Sequence, residues 1–429
     1  MFKKIYYGWW IVLAAFWTLF ICAGIGFSTL AVFLKFIDTD MHWGRGVIST
    51  AGALAALAAG FTAPLVGYII DRHGPRVVMI PGTLILSVSF FLLGRVGAPY
   101  QLYLLYSGVG IGMAATTLLP AQTLISRWFE KKRGRAMGVI SVAAGLGGVV
   151  WIPVSTRLVE AVGWRGAYGV LGMIVACASL PFIIFLIRPS PVSMGLKLDG
   201  ENDSSVDDGS HDADAPSSGE SGFTLREALR TRSFWLIICA TLFVMVPSAG
   251  FGLHIISFLT DSGLSPDKAA LVWSFTLGIS IGGRFFFGWI SERFQKRYFA
   301  SAANVVRAFS VILLVLFSFK LFPPVLAIAQ LALLYGLANG CNAVMNPLLV
   351  SETFGVKSFG KLMGMLGIPF TLGMALGQIA GGYLYEWKEN YVIAFAIFAL
   401  SFICAGTAVS FAKPLFLLET RSAAEEGEG

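Results

Sequence analysis

The stretch Gly67-Tyr-Ile-Ile-Asp71-Arg72-His-Gly74-Pro-Arg76 closes one long apolar run and leads into the next. A degenerate copy, Gly288-Trp-Ile-Ser-Glu292-Arg293, stands in the second half of the chain, again at the end of an apolar run. A second pair behaves the same way. Gly134-Arg135-Ala136-Met137-Gly138 opens one run, and Gly360-Lys361-Leu362-Met363-Gly364 opens another. The step from Gly67 to Gly288 nearly equals the step from Gly134 to Gly360. Two glycine-anchored matches at equivalent turns, sharing nearly one offset, mark a duplicated chain. Duplicated halves of membrane-spanning helices, with a binding site between them near the midplane, are a transporter architecture.

Working outward from these turns, the apolar runs fall near 8–34, 47–70, 77–96, 100–128, 136–162 and 166–188, then 233–260, 269–291, 299–320, 324–351, 361–387 and 391–412. Twelve spans of about 22 residues fit most of the 429-residue chain. Composition agrees: 56% of residues are hydrophobic, 13% are charged and mean hydropathy is +0.76, where a soluble domain is about one quarter charged. The runs are continuously apolar, not alternating, so a β-barrel is excluded along with a soluble enzyme. The expected fold is an all-α membrane protein of two pseudo-symmetric six-helix bundles. The expected organisation is 1–188, a partly disordered linker at 189–232, a second bundle at 233–417 and a tail at 418–429. The linker's Asp-, Ser- and Gly-rich middle reads as disorder, and His211 among its aspartates has no fixed geometry in which to hold a metal.

Net charge is +7, yet the basic residues lie in short turns and not on a nucleic-acid surface. With both termini and the linker on one side, 21 of the 31 Lys and Arg fall there and 8 on the other. Two, Arg284 and Arg307, lie inside spans. The basic side is expected to be cytoplasmic, in a multi-pass cell-membrane protein. Met-Phe-Lys-Lys followed by a long apolar run mimics a signal peptide, but the run is too long and carries no small-residue cleavage site, so an uncleaved first span is expected. The five cysteines lie in apolar runs without metal-ligand spacing and read as reduced thiols. Walker A and HExxH patterns are missing from the sequence, so neither an enzyme nor direct ATP drive is expected, and no cofactor or metal is called for.

The Gly67–Arg76 signature, between the second and third spans and with its copy after the eighth, resembles the cytoplasmic loop motif of the major facilitator superfamily. That resemblance covers nearly the whole chain. Tyr7-Gly8-Trp9-Trp10 and Trp128-Phe129-Glu-Lys131-Lys132-Arg133-Gly134-Arg-Ala136-Met-Gly138 are similar to the monocarboxylate transporter and oxalate:formate antiporter branches. For Trp9 and Trp10 a plain interfacial aromatic belt is an equal reading. In the loop motif an acid and several bases at helix ends can form a conformational latch: Gly67, Asp71, Arg72 and Arg76, with Glu292 and Arg293 in the copy. The resemblance further implies that an eighth-span arginine takes the substrate carboxylate.

Arg284 stands in that place, in LGISIGGRFFFGW, eight residues before Glu292 and roughly 12 Å from the helix end. An arginine at that depth is costly, is expected to face a cavity, and has the planar fork for a carboxylate. Tyr335, Asn339, Asn342 and Asn346 share one face of the tenth span, and Tyr335 and Asn339 are candidate cavity residues, with interhelix hydrogen bonding the alternative. Leu146, in the glycine-rich fifth span, and Thr371, in the eleventh, are further candidates, as is Thr29 in the first. His254 is the one histidine inside an apolar run and a candidate for proton coupling or for a bonded core position. Arg307 is expected to snorkel or pack. The mammalian-type pattern has an aspartate where Ser280 stands and a cavity lysine where the first span has Lys35 only at its end. The oxalate:formate branch adds an eleventh-span cation, where this chain has only Lys361 at the helix end.

The expected function is alternating-access transport of a lactate- or pyruvate-like monocarboxylate with a proton, in a lipid bilayer. Exchange or export of other organic anions, and a non-transporting membrane sensor, are the alternatives, and an accessory subunit is left open.

Overall fold

The computed structural model describes residues 6–129, 132–188, 191, 194–196, 222–290, 295–319, 323–355, 358–413 and 415. Glu292, Arg293, His211, most of the expected linker and the 418–429 tail lie outside them. The described chain is helical, and an isolated bridge pairs Gly222 with Gly355. The helices are α1 (Gly8–Met41), α2 (Arg45–His73), α3 (Pro75–Leu93), α4 (Pro99–Thr116), α5 (Leu118–Trp128), α6 (Arg133–Pro181), α7 (Leu225–Leu229), α8 (Arg232–Asp261), α9 (Pro266–Ile290), α10 (Lys296–Ser318), α11 (Pro324–Gln330), α12 (Gly336–Phe354), α13 (Phe359–Lys388) and α14 (Val392–Phe411).

Among the described residues eleven helical stretches are long and apolar enough to span a bilayer. One of them, Arg133–Leu186, has 54 residues. At 1.5 Å per residue it would be about 80 Å long, far beyond a hydrocarbon layer of about 30 Å. It is two spans joined at Gly163, whose φ of 71° and ψ of 163° break the helix. Twelve spans result, in the order the apolar runs predict. The fourth span is broken too, at Thr117 (φ −102°, ψ −127°), which divides α4 from α5. In the tenth, α11 and α12 are joined through a π-helical turn, Leu331–Tyr335, that rotates the helix face between them. The first span runs to Met41, beyond the 8–34 run.

Small residues set the close crossings. α1 lies along α6, where a Cβ on Gly24 or on Gly147 would stand 2.7 Å from the other's Cα. The first six spans meet the last six through α2 on α13, α6 on α9 and α1 on α8. The end of the expected linker is ordered: Phe223 N donates to Phe354 O at 2.8 Å, and Thr224 and Glu227 form a capping box on α7. All five cysteines are free.

Candidate functional site

A cavity of about 540 Å³ lies where the two sets of six spans face each other, lined from α1, α2, α4, α5, α6, α8, α9 and α13. Its wall is mostly Ala, Gly and Leu, and polar groups enter it at Tyr106, Thr117, Ser248, Ser280, Gln378 and Arg284. Arg284 is the charged residue among the described residues that line it. Its Nε is buried without a hydrogen-bond partner, and Nη1 makes one long contact to Ser141 O at 3.4 Å. No carboxylate pairs with it among the described residues. A guanidinium is always charged, so this site holds one unbalanced positive charge in an apolar wall.

The other predicted residues lie one step back. Asn339 Nδ2 donates to Ser280 Oγ at 3.1 Å, so it holds a lining residue without lining the cavity itself. Tyr335 is buried, stacks on Phe251 at 4.7 Å and accepts from Arg307 at 3.2 Å. Asn342 Nδ2 donates to Asn304 Oδ1 at 3.0 Å. Tyr335, Asn339 and Asn342 therefore bond to partner helices, the alternative that the sequence left open. Thr29 is fully buried. Leu146 is half-buried beside Gly145 and Gly148, which do line the cavity. Thr371 packs on α2, where a Cβ on Gly60 would meet its side chain at 2.6 Å. Arg307 does not snorkel: it is 1% exposed, packed between aromatic rings.

Beyond the cavity, at the end of the bundle where α1 and α8 finish and α2 begins, a polar network joins the two halves. Arg45 Nη1 and Nη2 donate to Asp261 at 2.6 and 3.2 Å, and Lys35 Nζ donates to the same carboxylate at 2.8 Å. Glu386 Oε1 accepts from Gly46 N at 2.8 Å. Arg45 also donates to Tyr391 Oη at 2.8 Å and covers the Tyr385 ring at 3.9 Å. His254 sits directly beneath. Its Nε2 lies 3.2 Å from both Gln378 O and Ser49 Oγ, and its Nδ1 lies 3.1 Å from Tyr391 Oη. A backbone carbonyl only accepts, so Nε2 carries the hydrogen. In the neutral ring Nδ1 then accepts from Tyr391, whose oxygen takes the Arg45 proton. This hydrogen-bonded chain, Arg45 to Tyr391 to His254, closes the end of the cavity. Sequence reading missed it, since Arg45 and Asp261 are 216 positions apart and no local pattern pairs them.

At the opposite end Asp71 is exposed and forms no ion pair among the described residues, and Arg72 stacks on Tyr68 at 4.5 Å. Among the described residues the Gly67–Arg76 latch is therefore unformed, while the Arg45 end is tied. Glu292 and Arg293, the copy of that latch, lie outside the described residues.

Two helical bundles facing each other around a shared cavity are the architecture of a membrane transporter. The chain belongs to the Major Facilitator Superfamily, whose sequence model matches residues 16–355 and again 285–426. It is 22% identical to Monocarboxylate transporter 12 of Xenopus laevis over 95% of this chain and 89% of that one. It is 26% identical to the oxalate:formate antiporter of Oxalobacter formigenes, over 92% and 90%, and 23% identical to the uncharacterized MFS-type transporter YcxA of Bacillus subtilis, over 83% of each. Among solved structures, a bacterial homolog of the human lysosomal transporter Spinster, inward-facing and occupied, superposes with a TM-score of 0.69 over 98% of both chains at 16% identity.

Proposed function

We propose that this transporter moves a monocarboxylate together with a proton, and that Arg284 holds the carboxylate. The observation that carries the reading is the Arg284 guanidinium, without a carboxylate partner among the described residues and the one charge among those that line the cavity. A single planar fork in an apolar chamber suits one carboxylate. The named relatives, a monocarboxylate transporter and an oxalate:formate antiporter, carry organic acids, and this supports the same class here. The positive-inside count favours the Asp71 end as cytoplasmic. On that orientation the described conformation faces inward, with the cell exterior at the Arg45 end and both termini in the cytoplasm.

The proton is assigned to His254. It is fully buried between the halves, so it meets water only when the outer end opens. Proton uptake there then accompanies the outward-open state, and its release accompanies closure.

The test is uptake of labelled L-lactate into liposomes holding the purified protein, at pH 6 and pH 8, beside Arg284→Ala. Uptake high at pH 6, falling at pH 8, and at least about 30-fold lower in Arg284→Ala is expected, since stranding a buried charge partner costs roughly 2–5 kcal/mol. Full uptake by a folded Arg284→Ala protein would sink the anchor. Uptake equal at both pH values would sink the proton.

A further inference from the structure

The second half of the chain holds another buried cation, which the lactate reading leaves unused. Arg307, halfway along α10, donates through Nη2 to Ser248 Oγ at 2.6 Å and to Tyr335 Oη at 3.2 Å. Its guanidinium stands 4.0 Å from the Phe402 ring centroid and 5.0 Å from that of Tyr335. Its Nε is buried with no partner. No acid pairs with it among the described residues. Hydroxyls and ring faces stabilise a guanidinium without neutralising it. A charge left in that condition inside a membrane domain marks a place that an anion completes.

Ser248 is where this charge reaches the cavity, since it lines the wall. Its oxygen accepts from Arg307, and its hydrogen goes to Val244 O on its own helix. With an acceptor position filled by a cation, what the serine has to give an arriving ligand is that hydrogen, turned from Val244 O toward the cavity and strengthened by the charge behind it. α8 ends at Asp261 and α9 starts at Pro266, both at the Arg45 end. Measured along the helices from those two residues, Ser248 lies roughly 20 Å deep and Arg284 roughly 27 Å deep, so the two differ in depth by about 7 Å. A short hydroxy acid anchored on Arg284 reaches one of these poles. A cavity of about 540 Å³ has room for a longer ligand that reaches both.

We propose that Arg307, acting through Ser248, forms a second anion-recognising pole, so that the preferred substrates are organic acids with a second electronegative group several ångströms beyond the carboxylate on Arg284. This rests on the carboxylate reading of Arg284 and extends its substrate class from short monocarboxylates to longer acids with a second polar end. Arg307 is a positioning residue: it sets the polarity of Ser248 and does not itself touch the ligand.

The test measures thermal stabilisation of the purified full-length protein by two ladders of equal length, propionate to hexanoate and malonate to adipate. In the wild type, glutarate or adipate binds about tenfold tighter than the monocarboxylate of the same length. Ser248→Ala and Arg307→Met bring that ratio to about one, Arg307→Lys keeps part of it, and Arg284→Ala loses both ladders. Equal binding of the two ladders in the wild type, or a ratio unchanged in Ser248→Ala, overturns the second pole while leaving the Arg284 anchor standing. Should Arg307→Met fail to fold, Ser248→Ala decides alone, because it keeps the arginine on its aromatic rings. If Arg284→Ala binds both ladders as the wild type does, or if neither ladder stabilises the wild type, the carboxylate reading falls and this inference falls with it.

Discussion

The state of one proton on His254 decides the outer network. In the neutral ring, Nε2–H serves Gln378 O and Nδ1 accepts from Tyr391, leaving the tyrosine oxygen free to accept from Arg45. Protonation puts a hydrogen on Nδ1 as well. Tyr391 then has a donor on each side, its own hydrogen loses its acceptor, and a second cation stands one residue away from Arg45. The groups facing this histidine are Arg45 and Ser49 from α2 and Tyr391 and Gln378 from the C-terminal half, with Asp261 and Lys35 just above. The one carboxylate among them is already shared by two cations. On the proposed proton role and orientation, acid at the Arg45 end is therefore expected to favour opening, and neutral pH the closed end. In His254→Gln, which keeps a donor and an acceptor but does not titrate, uptake should persist with its pH 6 to pH 8 ratio reduced to about one. A ratio unchanged in that variant would assign the proton elsewhere. The logic of Arg284 is simpler and was legible in the sequence, because an arginine at that depth has few places to go. That the same logic applied to Arg307 was not legible, because whether a helix faces lipid or protein at one position depends on neighbours that its own sequence does not name.

At the scale of helices, the twelve spans follow from apolar runs of the right length, and the structure reproduces their order. What the runs could not specify is where a helix breaks without a polar interruption. Gly163 separates two spans within a single unbroken hydrogen-bonded stretch, in a backbone region that only glycine occupies readily. A Cβ there would meet nothing within 4 Å, so a substitution costs backbone strain alone. Gly163→Ala is expected to lower stability by about 1–3 kcal/mol, read as a fall in melting temperature with ligand binding intact. The Gly24 and Gly147 contact behaves differently. There a Cβ collides with the facing backbone, which has no side-chain end to move aside. Gly147→Val should push α1 off α6 and abolish folding or transport outright, whereas Gly163→Ala should not. The tenth-span stripe teaches the same lesson about partners. Its periodicity placed Tyr335, Asn339 and Asn342 on one face, and only the packed structure shows that face spent on Arg307, Ser280 and Asn304.

For the whole molecule, alternating access requires that closing one end and opening the other be linked by differential contacts in the two states. The described conformation has its contacts at one end: Asp261 held by Arg45 and Lys35, Glu386 on the start of α2, and the buried Tyr391–His254 pair below. Toward the Asp71 end the described residues form no ion pair between the halves, and the contact there is the long Arg284 Nη1 to Ser141 O bond with α6–α9 packing beside it. This asymmetry makes Asp261 the most informative substitution. Asp261→Asn keeps the size and one acceptor but removes the charge by which α8 holds Lys35 and Arg45 across the seam, while Asp38, 3.5 Å from Arg45 Nε, stays on the N-terminal side. Lys35 and Asp261 are about one third exposed while Arg45 is 5% exposed, so solvent screening limits the Lys35 pair most. A shift of roughly 1.4 kcal/mol, or about tenfold in the open-to-closed ratio, is a fair expectation. The readout is a cysteine introduced at Leu253, which lines the cavity two turns below Asp261, in a background without native cysteines. An impermeant thiol reagent added from the Arg45 side should label it about tenfold faster in Asp261→Asn than in the parent, and high salt should narrow the gap. An unchanged rate would mean that the close backbone crossing of α2 and α13, where a Cβ on Gly382 would stand 2.7 Å from Gly46 Cα, holds the end shut without help from charge. The alternating-access cycle would then be governed by helix packing, and the ion pairs would only report on it.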